Sequence, residues 1–122
     1  MMLLKYISDR MEALGIEYEF MEWTHSTIPD PYFVGEYAEL ESQSREESGY
    51  QETTFLLTGT GRTWIDLERA KLKIENNISE TAVLDNGSGI AVFYAGSLLI
   101  PTGDAELKRI QINLRIEEWK VK

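Results

Sequence analysis

The chain has 122 residues, a length that fits one domain. Its 21 acidic and 12 basic residues give a formal net charge of −9, which argues against specific binding to nucleic-acid phosphates or to anionic membranes. The absence of cysteine excludes a disulfide framework, a thiolate nucleophile and a zinc site built on cysteine. Hydrophobic residues make up 43% of the chain, and no stretch approaches the ~20 apolar residues that cross a bilayer. We therefore expect a soluble, globular, cytoplasmic protein.

The first regular pattern is an amphipathic helix. Apolar residues recur at spacings of three and four over residues 3–14, and Gly15 stands where a left-handed helix cap is expected. Over residues 16–20 the apolar period changes to two, which predicts a strand with one exposed face. Residues 32–40 are rich in aromatic side chains and predict a second strand.

The middle of the chain predicts a long β-hairpin and a second helix. Residues 41–49 are the most polar stretch and predict an exposed loop, after which residues 50–60 resume strand character. Residues 63–66, Thr-Trp-Ile-Asp, resemble a capping box with a short acid at its last position. The helix that starts there has a predicted buried face of Trp64, Leu67, Lys71, Ile74 and Ile78.

The last third of the chain predicts more strands. Residues 81–84 and 90–94 flank the Asp-Asn-Gly-Ser-Gly stretch at 85–89, which has strong hairpin-turn chemistry. Residues 98–100 are a short apolar run, and residues 110–116 alternate between apolar and polar side chains without exception.

These elements predict a single α+β domain over residues 1–122. Its fold is a largely antiparallel β-sheet with two helices packed on it, in the order α-β-β-β-α-β-β-β.

The only histidine, His25, offers little catalytic chemistry. A single histidine excludes a metal site that needs two imidazoles. A Ser–His–Asp triad needs only one, and Ser26 and Asp30 lie nearby in sequence, but no Gly-x-Ser-x-Gly turn frames a serine. We interpret His25 as a loop residue.

Two further patterns stop short of a binding motif. Residues 58–63 carry Gly-x-Gly between a strand and a helix, where phosphate-binding loops occur, but lack the Gly-Lys-Ser/Thr of a P-loop and the third glycine of the dinucleotide fingerprint. We interpret the segment as a tight turn. The acids of residues 36–47 lack the Asp-x-Asp-x-Asp-Gly order of a calcium loop. We predict no catalytic residue, no cofactor and no metal ion.

Contacts with other protein subunits are the remaining kind of site. Tyrosine is enriched at such contacts, and an exposed polar loop is suitable material for them. The candidate contact residues are Tyr32, Tyr37, Glu46, Glu47 and Tyr50.

A family resemblance covers the chain from residue 32 to its C-terminus. It is carried by YFVGE at 32–36, ETTFLLTGTGR at 52–62 with Trp64, DNGS at 85–88, AVFY at 91–94, PTG at 101–103 and ELKRIQINLRIEEW at 106–119. In these stretches the chain resembles small proteins encoded in the structural modules of Firmicute prophages. The predicted order of helices and strands is also similar to phage tail terminator and head–tail joining (tail completion) proteins. Residues 1–31 carry no resemblance.

The resemblance implies a structural, non-enzymatic virion protein. Such subunits form a ring, typically hexameric, that caps the tail tube, stops its polymerisation and presents a docking surface to the head connector. The implied partners are copies of the same chain, the tail-tube protein and the head-connector protein, met first in the cytoplasm and then in the virion. A ring needs two different surfaces that meet head to tail.

Two alternatives stay open. One is another minor phage subunit, either a minor capsid protein or a subunit near the baseplate. The other is a small ligand-binding or enzymatic domain, which predicts a concave pocket with converging polar groups and a shifted pKa.

Overall fold

The computed structural model of the chain describes residues 2–39, 50–84 and 87–119. Within these residues two helices and six strands follow one another as helix, three strands, helix, three strands. The predicted α+β class is therefore confirmed. The elements are α1 (Met2–Ala13), β1 (Tyr18–Phe20), β2 (Tyr32–Glu39), β3 (Tyr50–Gly61), α2 (Trp64–Asn77), β4 (Glu80–Val83), β5 (Gly89–Ile100) and β6 (Lys108–Trp119).

The strands form one sheet in the order β1-β2-β3-β6-β5-β4, with β3 and β6 at its centre. The predicted hairpin flanks pair antiparallel, β2 with β3 and β4 with β5. Of the predicted turn residues, 41–49 and 85–86 lie outside the described residues.

The prediction of an antiparallel arrangement needs one correction, because β1 and β2 are parallel neighbours. Parallel neighbours need a connection that returns the chain to the end where the first strand began. Residues 21–31 make this return, and a cis peptide bond joins Asp30 to Pro31 just before β2.

The core lies between the two helices and one face of the sheet. In β6 the apolar residues of the predicted alternation are buried, so that strand is confirmed. Full burial of an aliphatic side chain stabilises the fold by about 1.5–3 kcal/mol. The buried residues of these three elements are Leu3, Ile7 and Met11 of α1, Leu67, Ala70 and Ile74 of α2, and Ile110, Ile112, Leu114 and Ile116 of β6.

The ends of the helices follow the predicted capping. Gly15 adopts a φ of +74° directly after α1, a conformation that glycine reaches without strain. At the start of α2 the Thr63 hydroxyl accepts a hydrogen bond from the Asp66 backbone N–H at 3.2 Å. The predicted burial of Trp64 is wrong, because this side chain is exposed and the Lys108 amine lies 5.8 Å from the centre of its ring.

Two glycines allow aromatic rings to lie directly on the sheet. A Cβ atom at Gly35 would lie 2.6 Å from the Tyr18 hydroxyl oxygen, and one at Gly59 would overlap the Phe33 ring. Because β1 and β2 place these rings over neighbouring strands, glycine is required beneath them. The interpretation of residues 58–63 as a tight turn is therefore wrong for Gly59, which lies inside β3 and pairs with Phe33 and Ile110.

Candidate interaction surfaces

The face of the sheet opposite the helices is polar at its centre. Because the apolar residues of β6 point to the core, the residues between them point the other way. There the Gln111 side chain donates to Asn113 at 3.0 Å, and the Arg115 Nε atom lies 3.6 Å from carboxylates of both Glu52 and Glu117. The charges on this part of the face are paired with each other.

One end of the same face is apolar. Val83, Gly89 and Trp119 pair in register across β4, β5 and β6, and we call these three residues the Trp119 row. The Val83 side chain is 76% exposed, and Trp119 is also exposed. On the β3 side, the backbone of Tyr50 pairs with Trp119. The row therefore lies at the end of the sheet where residues 40–49 connect β2 to β3.

The structure separates the predicted contact residues. Tyr37 points to the core side of β2, where its ring stacks on Phe55 with centroids 6.3 Å apart. Tyr32 points to the opposite side, 5.4 Å from the Trp23 ring. Of these residues, Tyr50 alone lies beside the Trp119 row, and its side chain is outside the described part. Glu46 and Glu47 lie outside the described residues altogether.

The distal half of β5 is a surface that the sequence did not identify. β4 pairs only with residues 89–92, so residues 95–100 have no neighbouring strand on that side within the described chain. We call residues 95–100 the β5 edge. A register shift between Tyr94 and Ser97 occupies its first two residues, and Leu98 and Leu99 are 50% and 60% exposed. A run of three apolar residues in an antiparallel strand was the available signal, since one side of such a strand usually faces water.

At the opposite edge of the sheet, a short strand again covers only part of its longer neighbour. β1 pairs only with Phe33, Val34 and Gly35, and β2 continues beyond it as residues 36–39, which we call the β2 edge. This edge begins and ends with glutamate, and the Glu36 side chain is exposed. The two edges therefore differ in chemistry, one being apolar and the other acidic.

His25 lies in the loop between β1 and β2 and is 71% exposed. Its Nε2 atom lies 3.0 Å from the Glu19 carboxylate, which also accepts hydrogen bonds from the backbone and hydroxyl of Thr24. The Trp23 indole donates to the Thr27 carbonyl at 3.0 Å, and its ring is 5.5 Å from that of His25. These contacts hold the loop in a defined conformation. Asp30, the acid that a triad with His25 would have needed, accepts a hydrogen bond from the Arg62 backbone N–H at 3.0 Å.

A cavity of about 330 Å³ lies between α2 and the turns that precede β1 and β2. Phe33 lines its apolar side, and the charged side chains of Glu17, Asp66, Arg69 and Lys73 also border it. This is the kind of concavity that the ligand-binding alternative requires.

Two tyrosines outside this cavity have shifted pKa values. Burial raises the pKa of Tyr18 to about 12, and its hydroxyl is buried without a hydrogen-bond partner in the described chain. Burial also raises the pKa of Tyr6, and the hydrogen bond that its hydroxyl donates to Glu80 raises it further. Arg10 lies 3.3 Å from the same carboxylate and joins α1 to β4 through it.

In residues 2–39, 50–84 and 87–119, no three His, Asp or Glu side chains are grouped so as to hold a metal ion. None of the helices in this part of the chain has the length and apolar character needed to span a bilayer.

No protein-family model matches the chain, and no curated protein matches it at a significant level.

Proposed function

We propose that this protein is a structural subunit at the head-proximal end of a phage tail, either a tail terminator or a head–tail joining protein. The family resemblance over residues 32–119 and the α-β-β-β-α-β-β-β order support the proposal. In this role the chain acts through contacts with copies of itself, with the tail tube and with the head connector, and performs no chemical reaction.

The exposed apolar side chains of the sheet are the observation that carries the proposal. The β5 edge exposes Leu98 and Leu99, and the Trp119 row exposes Val83 at the other end of β5. Burying apolar surface yields roughly 25 cal/mol per Å², so each patch gains free energy when another protein covers it. A subunit whose work is assembly presents such patches at separate places.

The charge of −9 is compatible with a ring through which DNA passes. Phosphates adhere to proteins mainly through lysine and arginine. On the helix-free face of the sheet Arg115 is already paired with Glu52 and Glu117, which leaves it less available for phosphate.

Native mass spectrometry of the purified protein tests the proposal, first alone and then with tail tubes from a phage that carries this gene. We expect either a ring in isolation or binding confined to tube ends, and no binding to tubes of an unrelated phage. A strict monomer that never binds the matching tubes would contradict the proposal.

A second candidate function, small-ligand binding, is favoured by the cavity beside α2. Arg69 and Lys73 could pair with an anionic group of a ligand. Glu17, Asp30 and Asp66 at the same border favour a ligand that also carries a positive charge. A thermal-shift screen with small carboxylates and phosphates tests this, with Arg69→Ala as the control that removes a stabilising shift. Absence of any shift in the screen would remove this candidate.

A further inference from the structure

We propose that copies of this chain join head to tail by strand pairing, with the β2 edge of one copy added to the β5 edge of the next. The sheets then continue from subunit to subunit. The inference deepens the proposed function, on which it rests, by naming the surfaces through which the ring closes.

Beyond the register shift at residues 95 and 96, the β5 edge carries neither of the side-chain features that protect exposed strands. Natural proteins blunt free edges with charged side chains, with proline or by keeping the edge strand short. Residues 95–100 are Ala-Gly-Ser-Leu-Leu-Ile, and the first proline, Pro101, follows the end of the strand. An edge with exposed Leu98 and Leu99 and no charge is a template for another strand.

The directions of the strands suit the addition of β2. Three successive antiparallel pairings, β2 with β3, β3 with β6 and β6 with β5, make β2 and β5 run in opposite directions. Copies placed side by side in the same orientation therefore pair β5 with the next β2 antiparallel.

One register of the β5–β2 pairing matches the side-chain faces of the two sheets and leaves room for the short strand β1. With Ile100 opposite Glu36, the backbone of Leu98 stands opposite that of Ala38, and Ile100 and Glu36 both belong to the helix-free face. The strand β1 of the added copy, which pairs up to Gly35, then falls beyond the end of β5 at Ile100. The edge strands β1 of the added copy and β4 of the first copy therefore do not occupy the same position.

Charge supports a second copy as the occupant, because the β5 edge carries no charged residue that would repel the acidic β2 edge. On β6, Arg109 pairs with Ile100, and its Nε atom donates to the Thr60 hydroxyl at 3.3 Å on the side away from the β5 edge. The proposed register places Glu36 of the next copy on the other side of Ile100, about 10 Å from Arg109 between backbones, where the positive charge of Arg109 attracts the carboxylate without a direct ion pair. A pairing of two β5 edges about a two-fold axis would leave the acidic β2 edge without a partner strand.

The register also sets the tilt of the strands. Within one copy, Ile100 pairs with Arg109, Arg109 with Thr60 and Thr60 with Tyr32, so Ile100 and Tyr32 lie at the same height in the sheet. In the proposed contact, Ile100 instead pairs with Glu36 of the next copy, four residues further along β2. The sheet therefore shifts by about 13 Å over four strands that span about 19 Å. This corresponds to a strand tilt of about 35°, within the range at which closed sheets are built.

Engineered disulfides test the register, because the chain contains no cysteine of its own. The double variant Ala38→Cys/Leu98→Cys is oxidised gently, both alone and on matching tail tubes, and run on a non-reducing gel. We expect a ladder of linked subunits from the double variant and monomer from each single variant. Dimers from Leu98→Cys alone would overturn the proposal in favour of β5–β5 pairing, and monomer from the double variant would overturn any pairing of these edges.

A pair of lysine substitutions provides the second readout. Leu99→Lys places a charge on the exposed β5 edge, whereas Leu72→Lys places the same charge on the exposed side of α2. We expect Leu99→Lys to lower the amount of assembled protein at least tenfold and to leave the thermal unfolding midpoint unchanged. We expect Leu72→Lys to assemble to the same extent as wild type. Normal assembly of Leu99→Lys would contradict the edge contact. If the double cysteine variant binds tube ends as the wild-type protein does but gives no ladder on oxidation, the edge pairing fails while the proposed function stands.

Discussion

Two tyrosines show how differently one hydroxyl group can contribute to this fold. The Tyr6 hydroxyl donates to Glu80, a carboxylate that Arg10 also approaches to 3.3 Å. The Tyr18 hydroxyl is buried and has no hydrogen-bond partner in the described residues. A hydrogen bond to a charged group is worth about 1.5–3 kcal/mol, while a buried and unpartnered hydroxyl opposes folding.

Replacing each tyrosine by phenylalanine therefore has a different expected result. Tyr6→Phe lowers the free energy of unfolding by about 1–3 kcal/mol, because it leaves Glu80 without its donor. Tyr18→Phe leaves that free energy unchanged or raises it, because it removes a desolvated hydroxyl and keeps the ring over Gly35. Urea unfolding at neutral pH measures both, and a larger loss from Tyr18→Phe than from Tyr6→Phe would contradict the assignment.

The raised pKa of Tyr18 also predicts the direction of the pH dependence. Its pKa is about 12 in the folded protein and 10.0 in the unfolded chain. Because the folded value is higher, this contribution to stability is complete below pH 10 and is lost as the pH rises through 12. We expect the free energy of unfolding to fall over this window, and to fall less steeply in Tyr18→Phe. Equal slopes for the two proteins would show that Tyr18 is not the group that titrates.

Ile112 tests the assignment of the buried face of β6. The side chain is fully buried, so Ile112→Asp places an unpaired carboxylate in the core. The cost is several kcal/mol, against a total stability of about 5–15 kcal/mol for a typical domain. Val83→Asp is the matched control, because it makes the same change at a strand residue that is 76% exposed. We expect thermal melting to show loss of the fold for Ile112→Asp and a nearly unchanged midpoint for Val83→Asp; similar midpoints would refute the assignment.

At the level of elements, the start of α2 depends on one side chain. The Thr63 hydroxyl accepts the hydrogen bond of the Asp66 backbone N–H, a group that the helix itself leaves without an acceptor. Thr63→Ala should lower the free energy of unfolding by about 1 kcal/mol, and Thr63→Ser should restore most of it. Chemical denaturation of the three proteins measures this, and an unchanged midpoint for Thr63→Ala would show that the cap contributes nothing.

Local sequence patterns predicted the helices and strands but not their neighbours. The period of apolar residues is a short-range property, and it predicted α1, α2 and β6 with most of their buried residues, although it wrongly placed Trp64 of α2 in the core. The position of β6 between β3 and β5 depends on pairs such as Phe55 with Leu114, which are distant in sequence. The parallel pairing of β1 with β2 likewise depends on the path of residues 21–31, which carry no periodic signal.

The glycines of β3 show the same limit. Gly59 and Gly61 were interpreted as a turn because glycine often marks one. In the fold Gly59 is covered by the Phe33 ring, and a Cβ at Gly61 would lie 2.9 Å from an Asp30 carboxylate oxygen. Close packing by a distant segment leaves no signal in the residues around the glycine itself.

On the scale of the whole molecule, the sheet presents two unequal edges and one helix-free face. The sequence predicted tyrosines as the contact residues, and one of them, Tyr50, lies beside the Trp119 row. It did not predict the β5 edge, because the exposure of Leu98 and Leu99 depends on β4 beginning only at Glu80, opposite Val92. An unprotected apolar edge opposite an acidic edge gives a single chain the two different surfaces that a closed ring requires.

The central claim is that this protein works through its outer surfaces as the closing part of a phage tail. Deleting its gene from a prophage that carries it, inducing the phage and measuring tail length and head attachment by electron microscopy tests the claim most directly. We predict tubes longer than wild type and heads without tails, both restored by the wild-type gene. Tails of normal length joined to heads in the deletion strain would contradict the claim.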